Sequence, residues 1–219
     1  MTSAINGVIF FGDSVLAGTG ASERESSCAK LVKCALKIPV SLRSRNWNTT
    51  RDGLDRLEVD VLQQAQFSHV VILFGNNDSW LATSGQSKVP QGEFRKNLLE
   101  LIGRIKSNQQ TSLLCNLQLI NEAAFLQRFP ELVSYCKDMS ITAEKIQDQY
   151  NNLIEGVAKA SDIKLINIRS KLKKFPGNSI ADDGIHPNDQ GHKIIADLIL
   201  QTLQELDPTI KIHNGMYKI

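Results

Sequence analysis

Short apolar runs alternate along the chain with longer stretches in which apolar and polar residues repeat with helical spacing. Five of these runs have the length of a strand, are rich in branched residues and are followed by polar or turn residues. Runs that are apolar throughout are typical of strands buried on both faces of a sheet. We therefore predict strands at approximately residues 7–11, 39–43, 69–74, 112–117 and 164–168.

The amphipathic stretches between these runs predict helices. Five helices are expected, at approximately residues 26–37, 53–64, 91–107, 142–160 and 188–206. The fourth begins at Thr142, whose side chain is of the type that caps a helix. Helices of this length between buried strands cover the two faces of a parallel sheet.

This alternation predicts a three-layer α/β/α doubly wound fold with a five-stranded, mostly parallel sheet in the flavodoxin-like order 2-1-3-4-5. The 219 residues fit one domain at residues 1–206, followed by a tail at 207–219 that either packs as an edge strand or mediates self-association. Ligands in such sheets bind beyond the carboxyl ends of the strands where the strand order reverses. That position corresponds to the loops that hold Ser14 and residues 76–78.

The candidate chemistry begins at Ser14, where an apolar strand ends and presents a hydroxyl. Asp183 precedes His186 by three residues in the loop before the last helix. A serine becomes a strong nucleophile when an imidazole takes its proton and a carboxylate orients that imidazole. The first hypothesis is therefore acyl transfer, above all ester hydrolysis. The structural alternatives are an ordinary strand-to-helix turn at Ser14 and, at His186, a segment that serves only to begin the last helix.

The other three histidines suit this role less well. His69 opens an interior strand, His192 lies inside a helix and His213 lies in the tail, and none has a carboxylate in an adjoining loop. His186 is the best candidate base by elimination. A third motif, at residues 75–78, is either an Asx-rich turn or the source of a side-chain amide for an oxyanion.

Taken together, the three motifs resemble a known family. They read Gly12-Asp13-Ser14, Gly75-Asn76-Asn77-Asp78 and Asp183-Gly184-Ile185-His186-Pro187, and they resemble the SGNH hydrolases, also called GDSL-type esterases and lipases. The resemblance spans nearly the whole chain. It implies a flavodoxin-like fold, a nucleophile at Ser14, an oxyanion hole formed by the Ser14 N–H and the Asn77 amide, and a triad completed by Asp183 and His186. Gly12, Asp13, Gly75 and Asp78 are the supporting residues of these motifs.

One block departs from the family pattern. The resemblance implies a glycine in the loop after the second strand, whose N–H contributes to the oxyanion hole. When residues 49–57 are aligned with this part of the family pattern, Trp47 stands in the place of that glycine. A backbone N–H donates without needing a glycine, so Trp47 remains a candidate oxyanion donor. Asn46 and Asn48 are candidate substrate contacts beside it. The structural alternative for Trp47 is an ordinary packing aromatic.

Composition narrows the range of partners and compartments. Lys and Arg number 25 and Asp and Glu 23, so the net charge of +2 predicts neither a nucleic-acid partner nor an anionic membrane partner. The amino-terminal residues show no signal or membrane-spanning pattern, which predicts a cytoplasmic protein. The cysteines (Cys28, Cys34, Cys115 and Cys136) lack metal spacing and are expected to be free, buried thiols. The proposed chemistry requires no metal and no organic cofactor.

The resemblance leaves the substrate open among short-chain esters, thioesters, lysophospholipids and acetylated sugars, and we expect a small-molecule ester. Residues 121–140, with Phe125, Phe129 and Tyr135, form either an aromatic lid or a cover for the sheet. Two other functions use the same residues: transfer of the acyl group to an alcohol, and ligand binding without catalysis. Nothing in the sequence predicts the oligomeric state.

Overall fold

Five parallel strands form the centre of the molecule in a computed structural model that describes residues 4–81, 86–138 and 140–213. The strands are β1 (Val8–Gly12), β2 (Val40–Leu42), β3 (His69–Leu73), β4 (Thr111–Cys115) and β5 (Lys164–Ile166). Their order is β2-β1-β3-β4-β5, and every pairing is parallel. The predicted fold class and strand order are confirmed.

The two central strands are buried throughout, which explains their unbroken apolar sequences. β1 pairs with β3 in a register that sets Phe10 opposite Val71 and Gly12 opposite Leu73. The carboxyl ends of β1 and β3 therefore lie side by side. The loops that follow these two strands meet at one edge of the sheet.

Helices cover both faces of the sheet. They are α1 (Ser14–Ala17), α2 (Cys28–Ala35), α3 (Thr50–Leu57), α4 (Gln91–Ser107), α5 (Glu122–Arg128), α6 (Glu131–Asp138), α7 (Ala143–Ala160), α8 (Ile168–Lys173) and α9 (Asp189–Leu206). A π-helical turn, Glu58–Leu62, extends α3. Contacts join α2 and α8 to α9, and α4 to α3 and α7. The side chain of Thr142 caps α7, as predicted.

Two predicted boundaries were wrong for reasons that involve side chains. Helix α3 begins three residues before Gly53, because Thr49 and Asp52 form a capping box at its start. Gly53 instead allows close packing, since a Cβ there would lie 3.0 Å from the Phe74 ring. The fifth strand stops at Ile166, because the next residue, Asn167, caps helix α8. This helix was not predicted from the sequence.

The segment at 121–140 contains the helices α5 and α6, and Met139 lies outside the described residues. Phe125 is buried and Tyr135 is half-buried against the core, so the segment is packed onto the body of the protein. In the tail, Ile212 forms an antiparallel bridge with Leu36, and residues 214–219 lie outside the described part. The division of the chain at residue 206 stays a prediction.

The cysteine prediction needs one correction. All four thiols are free, and Cys28, Cys115 and Cys136 are buried. Cys34 is exposed, because it lies on the outer side of α2. The apolar spacing around Cys34 therefore did not indicate burial at that position.

Candidate active site

Ser14 is held at the carboxyl end of a central strand. β1 ends at Gly12, Asp13 caps α1, and Ser14 is the first residue of that short helix. The Asp13 carboxylate accepts a hydrogen bond from the Val15 N–H at 3.0 Å. Since the first N–H groups of a helix have no acceptor within it, the Ser14 N–H is left without an intrahelical partner. A Cβ at Gly12 would lie 2.4 Å from the Leu73 carbonyl oxygen, so the turn requires a glycine there.

Ser14, His186 and Asp183 form a continuous chain of hydrogen bonds. His186 Nε2 lies 2.9 Å from Ser14 Oγ, and His186 Nδ1 lies 2.5 Å from Asp183 Oδ2. The other carboxylate oxygen accepts the N–H groups of Ile185 and His186, each at 3.0 Å. Partial burial alone would raise the pKa of Asp183, but the hydrogen bonds from His186 and Ile185 lower it to about 2. Asp183 is therefore ionised at neutral pH and faces the imidazole.

Close backbone packing fixes the loop that carries Asp183 and His186. Gly184 has a φ of +78°, and a Cβ there would lie 2.2 Å from the backbone nitrogen of Phe125. Gly20, with a φ of +94°, passes the other side, where a Cβ would lie 2.7 Å from His186 Cβ. Because neither position has room for a side chain, both glycines let the neighbouring chain press directly on this loop.

A cleft opens in front of Ser14 and His186, and Asn77 and Trp47 line it. The Asn77 amide donates one hydrogen bond to the Asn48 carbonyl at 2.9 Å. An amide NH₂ has two hydrogens, so one remains for a ligand in the cleft. The predicted oxyanion donors thus lie around the same space as the predicted nucleophile.

Trp47 occupies a conformation that suits glycine. Its φ is +64°, and its side chain is 60% exposed at the mouth of the cleft. The left-handed region costs a residue with a Cβ about 1–2 kcal/mol, so this backbone conformation favours the glycine that the family resemblance implies here. The Trp47 N–H has no hydrogen-bond acceptor among the described residues. The indole packs edge-on against Trp80, with ring centroids 6.0 Å apart, and so extends the wall of the cleft outward.

The two asparagines beside Trp47 have different surroundings. Asn46 lines the cleft, where its side-chain oxygen accepts a hydrogen bond from the Thr19 hydroxyl at 3.2 Å. The Asn48 side-chain oxygen instead accepts from Arg56 Nε at 2.7 Å, while the Asn48 carbonyl holds Asn77. Asn48 therefore orients a neighbouring side chain of the cleft.

Beneath the cleft lies a buried polar network that sequence reasoning missed. The Asn76 amide donates to Asp13 Oδ2 at 3.1 Å, and its oxygen accepts from Gln118 at 3.0 Å and Gln147 at 3.1 Å. Gln118 also donates to the Ile185 carbonyl at 2.9 Å. The turn beside the nucleophile and the loop beside the base are thus joined through two amide side chains.

Arg169 holds the far end of this network. Its side chain is 6% exposed, and it donates to the Gln118 carbonyl at 2.8 Å and to Gln147 Oε1 at 2.9 Å. A second guanidinium nitrogen pairs with Asp148. Gln118 and Gln147 therefore have fixed positions, because each is bonded on two sides.

A sequence signal existed for two members of the network. Asn76 and Gln118 are polar residues just beyond the carboxyl ends of β3 and β4. Asn76 was noted as part of a motif, but Gln118 belongs to no motif and was overlooked. Gln147 and Arg169 lie within α7 and α8, and neither has a local pattern that distinguishes it from other polar helix residues.

The motif that follows β3 also contains a buried acid. Gly75 makes the turn with a φ of +134°, and Asp78 is fully buried. Asp78 Oδ1 accepts hydrogen bonds from the N–H and the hydroxyl of Thr50, at 2.9 and 2.5 Å. Asp78 Oδ2 has no partner among the described residues. Burial raises the pKa of Asp78 to about 7, despite the opposing hydrogen bonds from Thr50.

Replacing Asp78 by asparagine is expected to change how stability depends on pH. The pKa of Asp78 is raised from 3.8 to about 7 by burial, so the stability that its protonated form contributes is lost as pH rises through about 7. The free energy of unfolding of the wild type, relative to Asp78→Asn, should therefore fall by about 2–3 kcal/mol between pH 5 and pH 8. Urea unfolding of both proteins at the two pH values measures this difference.

The matched control is Asp55→Asn, which changes an exposed carboxylate on α3. Its free energy of unfolding should follow that of the wild type at both pH values. A constant difference between wild type and Asp78→Asn would contradict the assignment of a buried, protonated acid.

The chain matches a known family over most of its length. The model of the GDSL-like Lipase/Acylhydrolase family matches residues 10–194, which include the Ser14 turn, the motif after β3 and the Asp183–His186 loop. The chain belongs to this family. This GDSL hydrolase is therefore a carboxylic ester hydrolase, and the family resemblance seen in the sequence is confirmed.

Solved structures share the fold of this GDSL hydrolase. A lipase/acylhydrolase from Enterococcus faecalis is 23% identical with a TM-score of 0.73, and the match covers 96% of this chain and 100% of that one. The acetyl xylan esterase AlAXEase is 25% identical with a TM-score of 0.70, over 90% of this chain and 98% of that one. A catalytic mutant of Axe2, an acetylxylan esterase from Geobacillus stearothermophilus, is 19% identical with a TM-score of 0.70, and the match covers 93% of this chain and 96% of that one.

Among curated proteins, the GDSL hydrolase is similar to the uncharacterized lipoprotein YqeF of Bacillus subtilis (strain 168). The two are 24% identical over 187 residues, which covers 81% of this chain and 76% of that protein. Within residues 4–81, 86–138 and 140–213, no helix is long and apolar enough to cross a membrane. The same residues contain no group of three or more His, Cys, Asp or Glu placed to hold a metal ion. The predicted cytoplasmic location and the predicted absence of cofactors stay predictions.

Proposed function

We propose that the protein hydrolyses small, water-soluble carboxylic esters through an acyl-enzyme formed on Ser14. One observation carries this proposal: the unbroken hydrogen-bond chain from Ser14 Oγ through the His186 ring to Asp183, at 2.9 and 2.5 Å. A serine hydroxyl, an imidazole and an ionised carboxylate in this arrangement have the geometry of a nucleophile, a base and an orienting group.

In the proposed reaction, His186 accepts the proton of Ser14 while the oxygen attacks the ester carbonyl carbon. Asp183 stabilises the imidazolium cation that forms, and it keeps Nδ1 as the protonated nitrogen. His186 then gives the proton to the departing alcohol, and the acyl group stays on Ser14. Water attacks this acyl-enzyme in the same way, which releases the acid and restores the hydroxyl.

The oxyanion of the tetrahedral intermediate is proposed to lie among three N–H donors. These are the Ser14 N–H at the start of α1, the Asn77 amide and the Trp47 N–H. The free Trp47 N–H supports its inclusion, and the left-handed φ of +64° explains how tryptophan fills a position where glycine is expected. Donors that are held in place before the reaction stabilise developing charge without reorganisation.

Asn77→Ala is expected to lower kcat for ester hydrolysis by about 10²–10³, because one oxyanion donor is worth about 3–4 kcal/mol in a characterised hydrolase. The interaction forms mainly in the transition state, so KM should change little. Steady-state kinetics on p-nitrophenyl acetate measure both constants. Asn46→Ala is the matched control, since Asn46 lines the same cleft and should alter KM more than kcat. A kcat within threefold of wild type would contradict the role of Asn77.

The substrate is proposed to carry a small acyl group such as acetyl on a soluble alcohol, including acetylated sugars. The chain is similar in fold to proteins described as acetyl xylan esterases, which favours this class. The exposed indole of Trp47 beside the cleft offers an apolar face against which a sugar ring or another flat alcohol can pack.

The direct test is hydrolysis of p-nitrophenyl acetate by wild-type protein, together with labelling by a serine-directed phosphonate. Turnover and a covalent adduct located on Ser14 by mass spectrometry are the expected results. A folded wild-type protein that shows neither would overturn the proposal in favour of a binding protein. Product analysis with and without an added alcohol separates hydrolysis from acyl transfer, since only a transferase forms the new ester.

A further inference from the structure

The mouth of the catalytic cleft carries positive charge, and we propose that it binds a negatively charged group on the alcohol part of the ester. The group is a carboxylate or a phosphate, and the two side chains that receive it are Lys88 and Arg128. This inference rests on the proposed ester hydrolysis, and it adds the chemical class of the alcohol.

Three aromatic side chains form one wall of the cleft. Trp47, Trp80 and Phe129 line it, and the ring centroid of Trp80 lies 6.0 Å from that of Trp47 and 4.6 Å from that of Phe129. We call these three residues the aromatic wall. The Trp80 N–H donates to the Asn77 carbonyl at 3.3 Å, so the wall begins on the turn that holds the proposed oxyanion donor. A ligand whose ester carbonyl faces Asn77 therefore lies next to this wall.

A cation lies against each end of the aromatic wall. The Lys88 ammonium is 5.8 Å from the centroid of the Trp47 ring and 5.7 Å from that of the Trp80 ring. The Arg128 guanidinium carbon is 5.4 Å from the centroid of the Phe129 ring. Both residues are exposed, and at these distances the rings attract the cations. Two positive charges are therefore placed beside the cleft that holds the nucleophile.

Neither cation has an acidic partner among the described residues. The described residues that line the cleft also include no Asp or Glu, and the Asp183 carboxylate is bonded to the far side of the His186 ring. By contrast, Arg51, which contacts the backbone of Lys88, pairs with Glu93 at 2.5 Å. Ammonium and guanidinium groups carry only N–H donors, so those of Lys88 and Arg128 remain available to an anion.

The backbone fixes the position from which the Lys88 side chain extends. Its N–H donates to the Trp80 carbonyl at 2.8 Å, and its carbonyl accepts from Arg51 Nη1 at 3.0 Å. The next N–H, that of Val89, donates to the Asp78 carbonyl at 3.1 Å. These bonds involve only the backbone of Lys88, so a substitution there changes the charge and leaves the loop in place.

The proposed acyl group is small, and acetyl carries no charge, so the anionic group belongs to the alcohol. Its contact with Lys88 lies away from the reacting carbonyl carbon and is equally strong before and during the reaction. Such uniform binding lowers KM and leaves kcat unchanged. Positive charge at the mouth of a cleft also raises the local concentration of an anionic ester.

The kinetic test compares p-acetoxybenzoate, whose alcohol carries a carboxylate, with its uncharged methyl ester. Lys88→Met should lower the ratio of kcat/KM for the anionic ester to that for the neutral ester by about fivefold, through KM. Lys88→Glu should lower this ratio further, and Lys88→Arg should keep it close to that of wild type. Comparing ratios between variants cancels the different intrinsic reactivity of the two esters.

Lys33→Met is the matched control, because it removes the same charge from an exposed position on α2, outside the lining of the cleft. Its ratio should equal that of wild type. Sodium chloride at about 0.5 M should abolish most of the difference between wild type and Lys88→Met, since salt screens exposed charges. An equal ratio in wild type, Lys88→Met and Lys88→Glu would overturn the inference.

A second readout needs no catalysis. The chain has two tryptophans, both in the aromatic wall, so intrinsic tryptophan fluorescence reports on this site. Glucuronate or glucose 6-phosphate should change the fluorescence at lower concentrations than glucose does, and Lys88→Glu should remove that difference. The anion with the larger effect identifies the carboxylate or the phosphate as the preferred group. Equal titrations by all three sugars would count against the anion site.

The two readouts separate this inference from the proposed function. Anion-selective binding by a protein that hydrolyses neither ester would keep the anion site and reject the esterase. Hydrolysis of both esters, with a ratio that Lys88→Glu leaves unchanged, would keep the esterase and reject the anion site.

Discussion

Ser14→Ala is expected to lower turnover of p-nitrophenyl acetate by about 10⁴- to 10⁶-fold, because the acyl-enzyme is proposed to form on the Ser14 oxygen. The Ser14 hydroxyl makes one side-chain contact in the triad, with His186 Nε2 at 2.9 Å, so its removal should leave the melting temperature nearly unchanged. Single-turnover and steady-state rates, together with thermal unfolding, measure both quantities. Phosphonate labelling should disappear in the same variant.

His186→Ala should cause a loss of similar size, and the double variant should be no worse than either single one. Such non-additivity arises because the two side chains act as a unit, and removing one already abolishes the step. Ser134→Ala, at an exposed serine of α6, is the matched control and should retain full activity. Wild-type-like rates in either Ser14→Ala or His186→Ala would end the triad assignment.

Arg169→Met is expected to reduce the free energy of unfolding by about 2–4 kcal/mol, although Arg169 lies outside the catalytic cleft. The substitution keeps an apolar stem but leaves the Gln118 carbonyl and Gln147 Oε1 as buried acceptors without donors. Because Gln118 also holds the Ile185 carbonyl beside His186, kcat should fall by about one to two orders of magnitude. Urea unfolding and steady-state kinetics on acetate esters measure the two effects.

Arg104→Met is the control for this prediction, since Arg104 forms an exposed pair with Glu58 on the surface. Exposed pairs contribute about 0–1 kcal/mol, so its stability and activity should remain close to those of wild type. If Arg169→Met kept the stability and activity of Arg104→Met, the buried network would not hold the loop that carries Asp183 and His186.

The regular part of the molecule follows from local patterns. Short runs rich in branched apolar residues predicted all five strands, and the position of the first two motifs after a strand predicted the edge of the sheet where the site lies. Thr142 was identifiable as a helix cap because a cap depends on a few adjacent residues. Ser14, Asp183 and His186 could be picked from the sequence because each belongs to a short motif.

Other features required contacts between residues far apart in the chain. Trp47 is proposed to take the place of the family glycine, and only the structure shows that its backbone is left-handed, with a φ of +64°. The start of α3 depended on a capping box, and the close approach of Gly53 to Phe74 could not be read from either residue alone.

The sequence by itself determined the fold class, the edge of the sheet that bears the site and the three side chains proposed for catalysis, because strand periodicity and short motifs are local properties. The tertiary structure decided the Asn76–Gln118–Gln147–Arg169 network and the aromatic cluster that Trp80 forms with Phe125 and Phe129. Both arise from side chains of different elements that meet only when the chain is folded. Hydrogen bonding and apolar burial between such elements depend on their packing in space, which no window of neighbouring residues contains.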